Sequence, residues 1–202
     1  MDIRIDRLGA RGDGIADTDD GPVYVPFALA GETARVRIGK TRGDGRSATL
    51  QEIAVPAPDR QEPSCRYFGP VPKTCGGCVA QHMGKATYGD WKRAVIADAL
   101  ARHGLHPDIE ALISVSPASR RRVRFAFRKV AGGVVLGFHE GRSDRIVDIA
   151  ECPVAVPEIV ALMPHLRAFL EGRAEKGEVA VTHTPEGADV VVFTRNEPDL
   201  DT

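Results

Sequence analysis

The stretch Cys65-Arg-Tyr-Phe-Gly-Pro-Val-Pro-Lys-Thr-Cys75-Gly-Gly-Cys78 decides how the middle of this chain can fold. It holds three of the four cysteines, and the fourth follows far downstream in Glu151-Cys152-Pro153. Three thiols on one loop and one remote thiol form a complete Cys₄ set, which can hold a metal and tie the loop to a distant strand. Prolines interrupt residues 56–84. A metal is therefore the natural way to order a stretch that cannot bury a core of its own.

The spacing of these cysteines leaves three interpretations open. Four thiolates can hold a [4Fe–4S] cluster, in which a proline after the last cysteine is a familiar companion. A zinc site usually has two Cys-x-x-Cys pairs, whereas one is present here. Free thiols are the third interpretation, and the Gly76-Gly77 pair argues against it because glycine lets the backbone fold tightly around sulfur. His82 follows shortly after, and we interpret it as a surface histidine in preference to a hydrogen-bond donor to a cluster sulfur.

Residues 1–55 are predicted to form a small OB-like β-barrel of short strands joined by glycine turns. Residues 33–40 show the clearest alternation, with Ala34, Val36 and Ile38 on one face and Arg35 and Arg37 on the other. Residues 48–55 are predicted to form the closing strand. Glu32, Asp44 and Glu52 lie nearby in sequence. The basic residues of this domain, which include Arg35 and Arg37, are therefore equally consistent with a nucleic-acid-binding surface and with an ordinary solvated strand face.

Residues 56–202 are predicted to form a second, mixed α+β domain that carries the cysteine loop (65–78). A helix is predicted over 87–103, because Tyr88, Trp91, Val95 and Leu100 fall near one stripe and Gly104 can end it. Strands return after Val115, and a hairpin, a helix over 157–170 and a further strand pair over 178–184 and 189–194 follow. The fold class is mainly β with some α.

Composition narrows the function. The net charge of the 202 residues is −1, so a nucleic-acid surface has to be a local patch. The first residues lack the apolar segment of a signal peptide, and no apolar run approaches the length of a membrane span. We expect a soluble, cytoplasmic, monomeric protein. The polar residues 197–201 follow an apolar strand, and we expect the chain to be the front part of a longer protein.

Such a basic patch is predicted around residues 120–129. No acidic residue lies between Glu110 and Glu140, and this gap contains six basic residues: Arg120, Arg121, Arg122, Arg124, Arg128 and Lys129. Arginine forks match phosphate oxygens, so an all-basic strand face suits an RNA backbone. The alternative is a solvated strand face, although such faces usually mix both signs of charge.

Together these motifs resemble a known family. The chain resembles the N-terminal half of the TRAM-domain, iron–sulfur-containing bacterial 23S rRNA (uracil-C5)-methyltransferases. The resemblance rests on motifs in the family's order: Gly12-Asp-Gly-Ile-Ala16, Val25-Pro-Phe-Ala-Leu-Ala-Gly-Glu32, Cys75-Gly-Gly-Cys78, Gln81-His82, Tyr88-Gly-Asp-Trp-Lys92, Arg120-Arg-Arg-Val-Arg124, Gly137-Phe-His-Glu140 and Ile146-Val-Asp-Ile-Ala-Glu-Cys-Pro153.

This resemblance implies a [4Fe–4S] cluster held by Cys65, Cys75, Cys78 and Cys152, and RNA, namely 23S rRNA, as the partner. It also implies that S-adenosylmethionine binds a Rossmann-like catalytic domain beyond this chain, where a cysteine attacks uracil to make 5-methyluridine. No catalytic or S-adenosylmethionine-binding residue is assigned here, and the chain should be inactive alone. Two other functions stay open, a stand-alone Cys₄-metal RNA-binding module and an iron–sulfur electron-transfer protein.

Overall fold

The structure is a computed structural model that describes residues 1–72 and 74–194. Lys73 and the polar segment 197–201 singled out above lie outside the described residues. The chain divides into two compact units. Unit 1 comprises Met1–Ser64 and Cys78–Ser114, and unit 2 comprises Cys65–Gly77 and Val115–Thr202, the latter described to residue 194. Residues 78–114 group with the N-terminal strands in this division, and the domain boundary predicted after residue 55 stays a prediction.

Unit 1 contains a six-stranded sheet and one helix among its described residues. Its strands run in the order β1-β5-β6-β4-β3-β2, in which β4 and β6 are parallel and the other neighbours antiparallel. The elements are β1 (Asp2–Arg4), β2 (Arg7–Leu8), β3 (Gly14–Thr18), β4 (Gly21–Val25), β5 (Thr33–Arg42), β6 (Gly45–Val55) and α1 (Lys85–Ala101).

The alternation in β5 is confirmed. Ala34 and Val36 are buried in the core of the sheet, and Ile38 packs against that core, whereas Arg35 and Arg37 are exposed. Residues from β1, β3, β4 and β6 complete this core. The period of two along the strand therefore sets which face is buried. Closure of the sheet into a barrel stays a prediction.

Helix α1 is fixed to unit 1 by contacts distant in sequence. Its only described buried residue, Trp91, packs with Leu29 and Met83, and its indole N–H donates to the carbonyl of Gly9 at 2.9 Å. No side chain adjacent to the helix caps its first turn. Instead Asp59 accepts the N–H of Thr87 at 2.8 Å, and hydrogen bonds from Thr87 hold the pKa of Asp59 below its usual range. The helix accordingly begins two residues before the predicted start.

Unit 2 packs one helix against a five-stranded antiparallel sheet with the order β11-β10-β7-β8-β9. The core joins side chains of α2 to one face of the sheet and includes Phe125, Phe127, Leu136, Ile159 and Met163. The elements are β7 (Arg122–Val130), β8 (Gly133–His139), β9 (Ile146–Asp148), α2 (Pro157–Glu171), β10 (Lys176–Thr184) and β11 (Gly187–Thr194).

Gly137 in β8 explains one of the sequence motifs by packing. A Cβ at this position would collide with the carbonyl oxygen of Val147 in the neighbouring strand β9. The close approach of the two backbones therefore requires glycine here.

The described part of the chain is mainly β with two helices, which confirms the predicted fold class at this level. Neither of these helices has the length and apolar character needed to cross a bilayer.

Candidate metal centre and nucleic-acid interface

Tyr67 links the three cysteines of unit 2. Cys65 lies two residues before Tyr67, and the backbone N–H of Cys75 donates to the Tyr67 carbonyl at 2.7 Å. The Tyr67 hydroxyl accepts the N–H of Ala150 at 3.0 Å, two residues before Cys152. Both Tyr67 and Cys152 pack against the core of unit 2. One tyrosine thus connects the segments that carry Cys65, Cys75 and Cys152.

An ion pair adds to this connection. Arg66 lies 3.1 Å from Glu151, which joins the neighbours of Cys65 and Cys152. The Arg66 guanidinium also lies over the Tyr67 ring, 5.0 Å from its centroid, and donates to the Tyr67 hydroxyl at 3.0 Å. The hydrogen bond to Tyr67 and the charge of Glu151 raise the pKa of Arg66. An exposed pair of this kind contributes little stability by itself.

The Cys-Gly-Gly-Cys stretch has a structural need for glycine at position 76. The Gly76 N–H donates to the His139 carbonyl at 2.9 Å, and a Cβ on Gly76 would lie 2.8 Å from that same oxygen. The Gly77 N–H points to the Cys75 Sγ at 3.4 Å. Cys75 also forms an isolated β-bridge with Glu140. The loop can therefore lie against the end of β8 while a backbone N–H faces a sulfur.

The four cysteines are partly exposed and form no disulfide bond, and Cys78 falls in unit 1. Within residues 1–72 and 74–194, no three His, Cys, Asp or Glu side chains are arranged as metal ligands. The chemistry of the donor set still fits an iron–sulfur cluster, since cluster irons take thiolate ligands and backbone N–H groups commonly face their sulfurs.

Glu32 organises a buried polar network in unit 1. Its side chain is fully buried and accepts the N–H of Leu29 at 2.7 Å, the N–H of Ala57 at 3.1 Å and the Arg60 Nε at 2.8 Å. Arg60 also donates to the Phe27 carbonyl at 2.7 Å. Because Glu32 is buried, it does not offset the surface charge of Arg35 and Arg37, contrary to the sequence interpretation. The Val25–Glu32 motif is thus a structural feature of the fold.

His82 is not a surface histidine. It is 1% exposed, and its ring lies 6.2 Å from the ring of Phe27. Burial, with a smaller contribution from the charge of Arg60, lowers its pKa to about 4. The sequence interpretation as an exposed residue was wrong, because the backbone bond from Gln61 to the His82 carbonyl and the Arg60–Met83 bridge fold this segment onto unit 1.

We expect the buried His82 to make unit 1 less stable in acid. An unfolded histidine has a pKa near 6.5, so between about pH 6.5 and 4 the unfolded state binds more protons and stability falls with pH. The loss between pH 7 and 5 should be about 2 kcal/mol. Urea unfolding followed by the fluorescence of Trp91, the single tryptophan, measures it. His82→Gln should show a correspondingly flatter dependence on pH; the same slope in both proteins would contradict the expectation.

The residues of β7 divide between the two faces of the sheet as predicted. Val123, Phe125 and Phe127 are buried, whereas Arg122, Arg124 and Arg128 are exposed on the opposite face. Arg124 lies 3.2 Å from Glu178. No ion pair involves Arg122 or Arg128 within the described residues, which leaves two guanidinium groups for an anionic partner.

The remaining predicted RNA contacts are placed less uniformly. In the alternation along β7, Lys129 falls on the same side of the strand as the buried residues, and its Nζ lies 3.4 Å from Glu175. Arg120 is exposed, and its backbone pairs with Ala155, three residues after Cys152. The exposed Arg121 bonds through its carbonyl to the N–H of His183. In unit 1 Arg35 is held between Asp2 at 3.0 Å and Glu52 at 2.8 Å. Arg37 is exposed, and no ion pair involves it among the described residues.

Comparison with known proteins finds a domain match at the N-terminus and relatives that match nearly the whole chain. The model of the TRAM domain matches residues 1–46. An uncharacterized RNA methyltransferase of Rhizobium meliloti is 42% identical over 193 residues, which cover 93% of this chain and 45% of that protein. A relative of the same description from Agrobacterium fabrum is 43% identical over 195 residues, covering 94% and 46%. The chain belongs to this RNA methyltransferase family.

The family includes members with a named reaction. The 23S rRNA (uracil(1939)-C(5))-methyltransferase RlmD of Thiobacillus denitrificans is 36% identical over 191 residues, which cover 92% of this chain and 43% of that protein. The chain thus spans about half the length of the curated relatives it matches and corresponds to their N-terminal part. The predicted family is confirmed.

One solved structure shows the same fold. The crystal structure of a Pyrococcus abyssi tRNA (uracil-54, C5)-methyltransferase in complex with S-adenosyl-L-homocysteine aligns with 98% of this chain and 48% of that chain, with a TM-score of 0.67. The sequence identity is 22%, so this likeness concerns the fold alone.

Sequence reasoning missed three features of these sites. Glu32 was interpreted as a surface charge, and Arg60 and Tyr67 were not singled out. Tyr67 could have been suspected from its position two residues after Cys65 within the cysteine loop. The Glu32–Arg60 pair carries no local signal, because the two residues come together only when the loop before α1 folds back.

Proposed function

We propose that this chain is the RNA-recognition and iron–sulfur portion of an S-adenosylmethionine-dependent methyltransferase that makes 5-methyluridine in 23S rRNA. The observation that carries the proposal is the match of more than nine-tenths of the chain to RNA methyltransferases, RlmD among them. The TRAM match over residues 1–46 supports RNA as the partner, as do Arg122 and Arg128, which are exposed on β7 and form no ion pair within the described residues. The proposal places S-adenosylmethionine and the catalytic residues on a Rossmann-like domain outside this chain. The 202-residue chain would therefore be inactive alone.

The proposed target can be tested in the organism that encodes the protein. Deleting the gene should remove one 5-methyluridine from 23S rRNA, detected by mass spectrometry of nuclease fragments, and restoring it should bring the modification back. Transfer RNA isolated from the same cells is the control. If 5-methyluridine disappears from tRNA and persists in 23S rRNA, the proposed substrate is wrong while the reaction type stands.

Cys65, Cys75, Cys78 and Cys152 are the proposed ligands of a [4Fe–4S] cluster. For the first, second and fourth of these the support is the set of contacts around Tyr67, and for Cys78 it is the Cys-x-x-Cys spacing. When bound, such a cluster supplies a rigid, electron-accepting inorganic core. The chain itself holds the segment that carries Cys65 and Cys75 against β8 and against the residues just before Cys152.

We expect Tyr67→Phe to weaken metal retention. Loss of the hydroxyl removes the acceptor for Ala150 and Arg66 and loosens the link between the Cys65 and Cys152 segments. Indirect partners of metal ligands typically contribute about 10- to 100-fold in affinity. Iron release to a chelator, followed by absorbance under oxygen-free conditions, should accelerate about tenfold. Tyr88→Phe in unit 1 is the matched control, and equal rates for both variants would argue against this role of Tyr67.

We expect the double variant Arg122→Ala, Arg128→Ala to bind RNA with a weaker dependence on salt. Each lost contact to a single-strand phosphate lowers the slope of log K against log salt by about 0.7, so the pair should lower it by about 1.4. Titrations of a labelled 23S rRNA fragment at several salt concentrations measure the slope. Arg93→Ala is the control, because Arg93 lies on α1, outside the predicted RNA contacts, and is 3.9 Å from Asp90. A slope that stays the same in the double variant would mean that these arginines are merely solvated.

A further inference from the structure

The open face of the unit 2 sheet carries an aromatic ring that the proposed function has not used. On β11, Val191 and Phe193 are each 43% exposed. The register aligns Phe193 with Glu178 on β10, and Val191 with Ala180, which in turn pairs with Arg124 on β7. These residues therefore share the face that is opposite the core, together with Arg122 and Arg128.

Arg124 and Phe193 form a stacked pair on this face. The Arg124 guanidinium carbon lies 4.5 Å from the centroid of the Phe193 ring, and Glu178 holds the same guanidinium at 3.2 Å. Ala180 separates Arg124 from Val191 in the register, and its small side chain leaves room for Arg124 to cross the sheet. A flat cation and a flat ring are thus fixed together while each keeps exposed surface.

We infer that this open face binds an unpaired RNA base on the stacked Arg124–Phe193 pair, with Arg122 and Arg128 holding the flanking phosphates. Aromatic rings and guanidinium planes are the groups on which proteins stack splayed-out RNA bases. Arg122 and Arg128 are six residues apart on β7, about 20 Å, and Arg124 lies between them. The inference rests on the proposed function and adds the conformation of the RNA that is recognised.

Charge decides between RNA and an apolar protein partner for this face. Burying Arg122 and Arg128 against an apolar surface would desolvate two guanidinium groups that have no ion-pair partner within the described residues, which is unfavourable. A polyanion supplies those partners, and its bases cover the apolar ring at the same time. The combination of charged and aromatic groups therefore fits a single-stranded nucleic acid.

The test compares two phenylalanines in similar surroundings. Phe169 on α2 is 44% exposed and has Arg173 at 4.5 Å from its ring centroid, which makes it a close match for Phe193 on the other side of the core. Fluorescence polarisation would measure binding of a labelled single-stranded oligoribonucleotide and of its duplex to the 202-residue chain. Phe193→Leu should weaken single-strand binding about tenfold, within the range for one lost base stack, and leave duplex binding unchanged. Phe193→Trp should retain affinity, and Phe169→Leu should match the parent.

A stacked reporter base gives a second, direct measurement. An oligoribonucleotide containing 2-aminopurine should lose fluorescence on binding to the parent and to Phe169→Leu, and should keep it with Phe193→Leu. If Phe193→Leu and Phe169→Leu behave alike while the Arg122, Arg128 variant still lowers the salt slope, the inference is overturned and the proposed function stands. If the chain binds no RNA at all, both fail. If the parent dimerises and Phe193→Leu abolishes only the dimer, the face is a protein contact and the inference is likewise overturned.

Discussion

Replacing Glu32 by alanine should destabilise unit 1 by about 3–5 kcal/mol, the range found when one partner of a buried ion pair is removed. The variant leaves the N–H groups of Leu29 and Ala57 without their acceptor and leaves Arg60, whose side chain is 20% exposed, without its counter-charge. Burying such groups unsatisfied accounts for most of the loss. Urea unfolding followed by Trp91 fluorescence should show the midpoint shifting strongly to lower urea.

Two further variants separate burial from charge. Glu32→Gln keeps an oxygen acceptor and removes the charge. Its free energy of unfolding should therefore lie between that of the parent protein and that of Glu32→Ala. Glu52→Ala removes an exposed partner of Arg35 on the same sheet, where a pair contributes about 0–1 kcal/mol. Similar losses for Glu32→Ala and Glu52→Ala would show that the buried network does not stabilise the unit as the contacts indicate.

Oxygen-free purification should yield brown protein with iron and sulfide in equal amounts, and Cys152→Ala should be colourless. Even groups that only orient a ligand contribute about 10- to 100-fold to metal affinity, so loss of a thiolate ligand should lower iron retention by at least about 100-fold. Residues 65–77 should then be cleaved faster by proteases, because the metal supplies folding energy to a segment interrupted by prolines.

Ser64→Ala is the control for this experiment, because it changes the neighbour of Cys65 without removing a thiol. It should remain brown and resistant. Stoichiometric zinc in colourless parent protein would replace the iron assignment by a zinc site. Iron content in Cys152→Ala equal to that of the parent would remove Cys152 from the proposed ligands.

The parts of the fold that sequence predicted are those set by neighbours along the chain. The alternation of Ala34 and Val36 with Arg35, and of Phe125 and Phe127 with Arg124, follows from the two-residue period of a strand, so their faces were assigned correctly. The strands β10 and β11 and the helix α2 likewise lie close to their predicted bounds. Local periodicity carries enough information for such elements.

Features that depend on distant contacts were not predicted. The start of α1 is set by Asp59, which is far from the helix in sequence, and no neighbouring residue signals it. The attachment of residues 78–114 to the N-terminal sheet depends on the bond from Trp91 to Gly9 and on the Arg60–Met83 bridge. For the candidate site, cysteine spacing suggested the ligands, whereas the role of Tyr67 follows from its bonds to Cys75 and Ala150. Such pairings have no period that a sequence could display.

The chain order of the two units has a consequence during synthesis on the ribosome. Residues 65–77 are made between the two parts of unit 1, yet the strands and turn they pack against are translated much later. At ordinary translation speeds Cys75 leaves the ribosome roughly 4–15 s before Cys152. For that interval the nascent chain carries residues 65–77 without the strands and turn that later cover them, so this segment is the last part of the first eighty residues to acquire its packing partners.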